Sequence, residues 1–145
     1  TFIEGGKPMS NVVDILLKMD AEKLELPKKM VEIKRLSELA GEPVVFEIKA
    51  LTQTQFEEIQ DMSTKFDPIS NKADIDVFTI KLETILKGVV SPELKRKELL
   101  EHYKVPTPYD LIKKLFTPGE IDRLYNEISD LSGFGEGAVE EVKKL

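Results

Sequence analysis

Cysteine is absent from the 145-residue sequence, and so are long apolar runs. Without cysteine the chain has no disulfide, no thiolate nucleophile and no zinc site built on sulfur. The longest apolar runs, such as residues 44–46, are far shorter than the roughly 20 residues that cross a bilayer. Residues 1–8 lack the basic and apolar regions of a signal peptide. These absences predict a cytoplasmic protein without a membrane partner.

A surplus of basic residues is also missing. Lys and Arg number 21 against 27 Asp and Glu, which gives a formal net charge of −6. Nucleic-acid binders usually carry a basic surplus, because neutralising phosphates supplies much of their affinity. The densest basic stretch holds Lys28, Lys29, Lys34 and Arg35, and we interpret it as the solvated face of one strand. We therefore predict no nucleic-acid partner.

Patterns for catalysis and metal binding are scarce. The single histidine, His102, lies in a charged stretch that is typical of an exposed helix, and nothing in the sequence places it beside a nucleophile. One acidic cluster comprises Asp67, Asn71, Asp74 and Asp76. It lacks the glycine and the ligand spacing of an EF-hand, and we interpret Asp74 as a helix cap. We predict no catalytic residue, no metal site and no cofactor.

Hydrophobic periodicity divides the chain into an arm, a domain and a tail. Residues 1–9 contain two glycines and a proline without any period, which predicts a flexible arm. Residues 10–132 predict a single globular domain whose first helix begins at a Ser10 cap. The apolar stripe of this helix consists of Val12, Val13, Leu16 and Leu17. The stripe either packs on the body of the domain or docks on a partner.

A period of two over about residues 29–50 predicts an antiparallel β-hairpin. Apolar and polar residues alternate around Val31 and Ile33, and again around Phe46 and Ile48. A short loop that contains Gly41 is expected to join the two strands. Two strands alone are marginal in water, so this hairpin must lie on helices or pair with another chain.

From residue 52 onward the pattern is helical. Thr52 and Gln55 form a capping box, and residues 74–88 predict a long amphipathic helix that ends at Gly88. Three further helix starts share a hydroxyl residue followed by proline: Ser91-Pro92, Thr107-Pro108 and Thr117-Pro118. The last of these helices is predicted to reach Leu131. The fold class is mainly α (α+β), with about six short helices and the N-terminal hairpin.

Several segments together resemble a known family. Residues 46–52 (FEIKALT) precede a helix that carries Phe56 and Ile59. The second half adds residues 89–94 (VVSPEL), 107–111 (TPYDL) and 115–121 (LFTPGEI). Over about residues 44–134 the chain is similar to the phage tail assembly chaperones of the XkdN-like group in Bacillus prophages.

The resemblance implies a non-catalytic assembly factor that does not stay in the finished particle. Chaperones of this kind bind the long, helical, aggregation-prone tape measure protein, which is therefore the expected partner. The resemblance leaves open whether the tail tube protein is a second partner and whether the chain forms homo-oligomers. The alternative is a structural virion component, such as a tail or head–tail connector protein. A small enzyme with an unrecognised site is a third class.

Residues 133–145 combine a glycine hinge with an amphipathic tail. The three glycines of residues 133–137 match no nucleotide-binding fingerprint, so we interpret them as a hinge. A hinge allows the neighbouring apolar side chains to move toward a partner. The predicted partner-binding residues are Phe134, Val139, Val142 and Leu145. For Phe134 the competing interpretation is that it anchors the end of the preceding helix.

Overall fold

Residues 11–142 are described by a computed structural model, and they form seven α-helices and five β-strands. In chain order these are α1 (Val12–Lys18), β1 (Lys28–Glu32), α2 (Lys34–Ala40), β2 (Val45–Lys49), α3 (Gln53–Ser63), β3 (Thr64–Asp67), β4 (Lys72–Ile75), α4 (Val77–Gly88), β5 (Val89–Ser91), α5 (Lys97–His102), α6 (Pro108–Leu115) and α7 (Pro118–Ser129). The α+β class is confirmed. The predicted arm at residues 1–9, Ser10 and Leu145 lie outside the described residues.

The first sheet has the antiparallel order β1-β2-β5. Its central strand buries Phe46 and Ile48 on one face, as the period of two predicts. The predicted pairing of β1 with β2 is confirmed, but the predicted short loop between them is wrong. The connection is α2, which ends where Gly41 adopts a left-handed φ of 76° that favours glycine.

The insertion of α2 also corrects the predicted basic strand face. Lys28 and Lys29 lie on β1, whereas Lys34 and Arg35 begin a helix. A hydrogen bond from the Val44 amide to the Ser37 hydroxyl, 2.8 Å long, ties α2 to the start of β2. The helix therefore closes the gap between the strands without a long loop.

The second half contains strands where only helices were predicted. After α3 the chain turns back as the hairpin β3–β4, because Asp67 accepts hydrogen bonds from the Ile69 amide and the Ser70 hydroxyl at 2.9 and 3.0 Å. The predicted helix start at Ser91-Pro92 is wrong, since Ser91 pairs with Glu47 at the end of β5. The next helix, α5, begins only at Lys97.

Three of the predicted helix caps are confirmed. Thr52 and Thr117 both close complete capping boxes, and Thr107 accepts a hydrogen bond from the third amide of α6. The long helix ends at Gly88 as predicted, but it begins after Asp76, which replaces Asp74 as the cap. These local signals place α3, α6 and α7 within a residue or two of their predicted starts.

The core brings α4, α6 and α7 together with the central strand β2. Its fully buried side chains include Ile48, Ile85, Leu111, Ile112 and Ile128. Gly88 permits close contact of α4 with α7, because an added Cβ there would lie 2.6 Å from the Cδ1 atom of Ile128. This contact fixes α7 relative to α4.

The first helix does not pack on this core. Asn11, not Ser10, caps α1 by accepting a hydrogen bond from the Val13 amide at 2.8 Å. None of the residues of α1 is buried, so the first of the two interpretations of its apolar stripe, packing on the body of the domain, is wrong. No helix within residues 11–142 is both long enough and apolar enough to cross a membrane.

Candidate partner-binding site

An apolar groove of about 350 Å³ lies between α3, α4 and α7. Its walls include Leu51, Phe56, Ile59, Ile80, Tyr125 and Phe134. We call it the Phe134 groove. The capping box at Thr52 sets the start of α3, and the helical spacing of Phe56 and Ile59 then directs both side chains toward α4 and α7. One wall of the groove is therefore formed by a helix whose start is marked in the sequence.

The C-terminal rim of the groove is a π-helical turn at Asp130–Phe134. The Ser132 hydroxyl accepts a hydrogen bond from the Leu51 amide at 2.9 Å and donates one to the Ile128 carbonyl at 2.7 Å. Gly133 then reverses the chain with a φ of 93°, a conformation that L side chains rarely adopt. These bonds hold the turn against the strand–helix junction before α3.

Phe134 sits at the mouth of the groove and has features of both predicted roles. Its ring centroid lies 5.3 Å from that of Phe56, with 36° between the ring planes. This contact anchors the helix end. Yet 64% of the residue is exposed, so most of the ring is available to a second surface.

Val139 and Val142, the other predicted contact residues within the described part of the chain, do not line the groove. Val139 and Val142 are 95% and 91% exposed and belong to no helix or strand. Leu145 lies outside the described residues. Of the three predicted partner-binding residues that the structure describes, it therefore brings only Phe134 to a concave surface.

The polar groups nearest the core have structural partners. The buried Glu83 carboxylate accepts hydrogen bonds from the Tyr109 hydroxyl and, at 3.0 Å, from Lys87. Burial, together with this carboxylate, raises the pKa of Tyr109 above its ordinary value. The phenol is therefore a fixed hydrogen-bond donor that joins α6 to α4.

A second ion pair joins α2 to α7. The Arg35 guanidinium donates to both carboxylate oxygens of Glu120, at 2.9 and 3.0 Å, and to the Leu115 carbonyl at 2.8 Å. Hydrogen bonding from Arg35 is the main cause that lowers the pKa of Glu120. The pair stabilises the fold and does not line the Phe134 groove.

The residues considered for chemistry have ordinary roles. His102 is exposed and meets Tyr103 edge to face at 4.8 Å between ring centroids. Asp67 holds the β3–β4 turn, and Asp76 caps α4 by accepting from the Thr79 amide. Over residues 11–142 no three His, Cys, Asp or Glu side chains are grouped so that they could hold a metal ion.

The chain is similar to known proteins over most of its length. Residues 13–144 match the family described as "Phage XkdN-like tail assembly chaperone protein, TAC". The chain is 24% identical over 139 residues to the phage-like element PBSX protein XkdN of Bacillus subtilis strain 168, covering 92% of this chain and 93% of that protein. It is 25% identical over 122 residues to YqbN of the same strain, covering 81% and 79%.

A solved structure agrees in fold. The crystal structure of YqbN superposes with a TM-score of 0.60 at 24% identity, covering 82% of this chain and 95% of that one. The family match spans nearly the whole chain, from α1 to the C-terminal tail. The chain therefore belongs to the XkdN-like family of phage tail assembly chaperones, and its role is in phage tail assembly.

Proposed function

We propose that the chain binds the tape measure protein in the cytoplasm of the bacterial host and shields it until the tail tube polymerises. It acts by binding, without catalysis. The observation that carries the proposal is the Phe134 groove: a concave apolar surface whose aromatic rim is more than half exposed. A groove of this kind accepts the apolar face of an amphipathic helix.

Shielding has a simple energetic basis. Apolar surface removed from water contributes roughly 25 cal/mol per Å², so a partner helix that covers the groove loses its tendency to aggregate. The net charge of −6 on the chain opposes association between loaded complexes. The chain would thus bind an aggregation-prone amphipathic helix and keep the complex in solution.

The C-terminal tail extends this contact surface in the proposal. Phe134 forms the rim of the groove, and Gly133 allows the segment after it to change direction. Val139 and Val142 are almost fully exposed, and Leu145 continues the same spacing. Together these four side chains would close over a helix that lies in the groove.

Co-expression with the tape measure protein of the same phage region tests the proposal. We expect the chain to raise the soluble fraction of that protein and to elute with it on a sizing column, which also reports the stoichiometry. Phe134→Ser should lower both signals. Phe78→Ser is the matched control, because Phe78 is a similarly exposed phenylalanine that lines a different depression, between α4, α6 and α7.

Two outcomes would contradict the proposal. If the tape measure protein aggregates equally with and without the chain, the two do not form a shielding complex. If the chain instead co-purifies with finished particles in fixed copy number, it is a structural tail component. A truncation after Phe134 separates the tail from the groove: loss of binding there, with folding intact, assigns the contact to Val139, Val142 and Leu145.

A further inference from the structure

The β3–β4 hairpin has one apolar face and one charged face. Directly opposed residues of an antiparallel pair point to the same side, and neighbours along a strand point to opposite sides. Thr64 pairs with Ile75 and Phe66 pairs with Ala73, which places these four on one face. The other face carries the cross-strand pairs of opposite charge Lys65–Asp74 and Asp67–Lys72.

The apolar face is uncovered. Every residue of both strands is exposed, including 62% of Phe66 and 67% of Ile75. The two strands form a sheet of their own, and a two-stranded hairpin is marginal in water unless it packs on something. The charged face is suited to solvent, so the apolar face is the side that gains from a partner.

This face is continuous with the Phe134 groove. A depression of about 630 Å³ is lined by Thr64 and Ile75 of the hairpin and by Gln60 and Ile80 of the two adjoining helices. Gln60 and Ile80 also line the Phe134 groove. One continuous strip therefore runs from Phe134 along α3 to the hairpin. It is apolar at both ends and has the polar side chains of Gln60 and Ser63 between them, and we call it the α3 strip.

The length of the α3 strip suits a helix of several turns. The 11 residues of α3 extend about 16 Å at 1.5 Å per residue. The four residues of β3 add about 13 Å at 3.3 Å per residue. Laid end to end, the two lengths sum to roughly 30 Å, which is the span of a helix of about 20 residues.

The wall of the strip is acidic. Helix α3 contains Glu57, Glu58 and Asp61 and no basic residue. Asp61 lines the depression beside the hairpin, and Glu57 is exposed on the same helix. Glu58 is paired with Lys87 of α4 at 3.6 Å and lines a different depression, so the charge of the wall comes from Glu57 and Asp61. An occupant with Lys or Arg at the edges of its apolar stripe would complement this wall, whereas one with Glu or Asp there would be repelled.

We propose that the α3 strip binds an amphipathic helix of about 20 residues whose apolar stripe is flanked by Lys and Arg. The inference rests on the proposed function only in naming the tape measure protein as the source of that helix. The apolar stripe packs on Phe56, Ile80, Ile75 and Phe66, and the basic flanks face the acids of α3. The strip thereby selects both for amphipathicity and for charge sign.

Two synthetic helical peptides of about 20 residues test the charge preference. Both carry the same leucine stripe; one has Lys and Arg beside it and the other has Glu. In fluorescence anisotropy titrations of the full chain we expect the basic peptide to bind at least about tenfold more tightly, with an affinity that falls as salt rises. Equal affinities, or no binding of the basic peptide, would overturn the proposal.

Variants of the hairpin test the location. Phe66→Ser and Ile75→Ser should each weaken the basic peptide about tenfold. Ile69→Ser is the control, since Ile69 is an exposed apolar residue in the hairpin turn outside the strip. If Ile69→Ser weakens binding as much as Phe66→Ser, the apolar face is not the site.

A charge reversal on α3 does not depend on the hairpin. Glu57→Lys should weaken the basic peptide and strengthen the acidic one, while circular dichroism shows an unchanged fold, because Glu57 is exposed. An unchanged preference would contradict the role of the acidic wall.

The outcomes also separate this inference from the proposed function. If the basic peptide binds as expected but the tape measure protein aggregates in co-expression, the α3 strip binds basic amphipathic helices and the tape measure protein is not its partner. If the Phe66→Ser and Glu57→Lys variants both keep the tape measure protein as soluble as the wild type does, the chain binds that protein at a site other than the α3 strip.

Discussion

Replacing Gly88 by alanine should destabilise the fold, although alanine is the better helix former. An added Cβ at Gly88 would lie 2.6, 2.7 and 2.9 Å from three carbons of the Ile128 side chain. Ile128 is fully buried in the core, so it has no solvent space into which it can move. Relief therefore requires either a strained rotamer of Ile128 or separation of α4 from α7.

The expected net cost follows from two opposing effects. Overpacking a close-packed core by one methyl group costs about 1–3 kcal/mol. The higher helix propensity of alanine stabilises the folded state by at most about 1 kcal/mol, and by less at the last position of a helix. We therefore expect the free energy of unfolding to fall by about 1–2 kcal/mol.

Urea unfolding followed by circular dichroism measures this cost. Gly119→Ala is the control: Gly119 is also helical, but nothing lies within 4 Å of the point where its Cβ would be, so the stability should stay the same or rise slightly. A second test combines Gly88→Ala with Ile128→Ala. Because the truncation removes all three clashing atoms, Ile128→Ala should cost about 1–2 kcal/mol less in the Gly88→Ala background than in the wild type.

Two results would refute the reasoning. One is a Gly88→Ala variant at least as stable as the wild type, which would mean that the helices adjust without strain. The other is strict additivity in the double variant, which would place the cost of Gly88→Ala somewhere other than the contact with Ile128.

Three further predictions concern the caps, the ion pair and the first helix. Thr117→Ala should lower the free energy of unfolding by about 1 kcal/mol in urea titration, because it removes the cap of α7. The pKa of Glu120 is lowered in the folded state, so its ion pair contributes stability that is complete above the ordinary value of 4.5 and is lost as the pH falls below that value. Between about pH 6 and about pH 3, the free energy of unfolding of Glu120→Gln should therefore fall less steeply than that of the wild type. Leu17→Ser should change stability by less than about 0.5 kcal/mol, since no residue of α1 is buried; a loss above about 1 kcal/mol would show that α1 packs on the core.

The elements that were predictable from sequence are those set by interactions within a few residues. The capping boxes at Thr52 and Thr117 each join a hydroxyl and a side chain three residues later, so the pattern needs no tertiary contact to be recognised. The pairing of β1 with β2 was also predictable, because alternation around Phe46 and Ile48 reflects burial of one sheet face. In each case the local signal and the final packing favour the same structure.

The elements that sequence missed depend on contacts across the chain. Ser91-Pro92 has the composition of a helix start, but pairing of Ser91 with Glu47 in the sheet overrides it. The strand β3 spans only four residues, which is too short for its alternation of Lys65, Phe66 and Asp67 to stand out from the helical pattern before it. In α2, residues with a strand-like alternation fold as a helix because Gly41 terminates it and Ser37 ties it to Val44.

The candidate site was predictable in one residue only. Phe134 stands out because glycines surround it, and the structure places it at the mouth of a groove. Tyr125 is far from Phe56 along the chain and lines the same groove only because α3 and α7 both pack on α4. A groove formed in this way has no signature in any single segment.

The residues that stabilise the fold and those proposed to bind a partner lie in different parts of this molecule. The fully buried large apolar side chains lie in β2, α4, α6, α7 and the segment before α5. By contrast, α1, the β3–β4 hairpin and the described residues after α7 have exposed apolar side chains and no buried residue. Substitutions in the second group remove little packing, so they should alter binding while the free energy of unfolding hardly changes. The Phe134 groove is the exception, because Phe56 and Ile59 serve both the fold and the surface. Loss of binding in the hairpin and tail variants can therefore be interpreted directly, while variants of Phe56 or Ile59 require a stability measurement alongside.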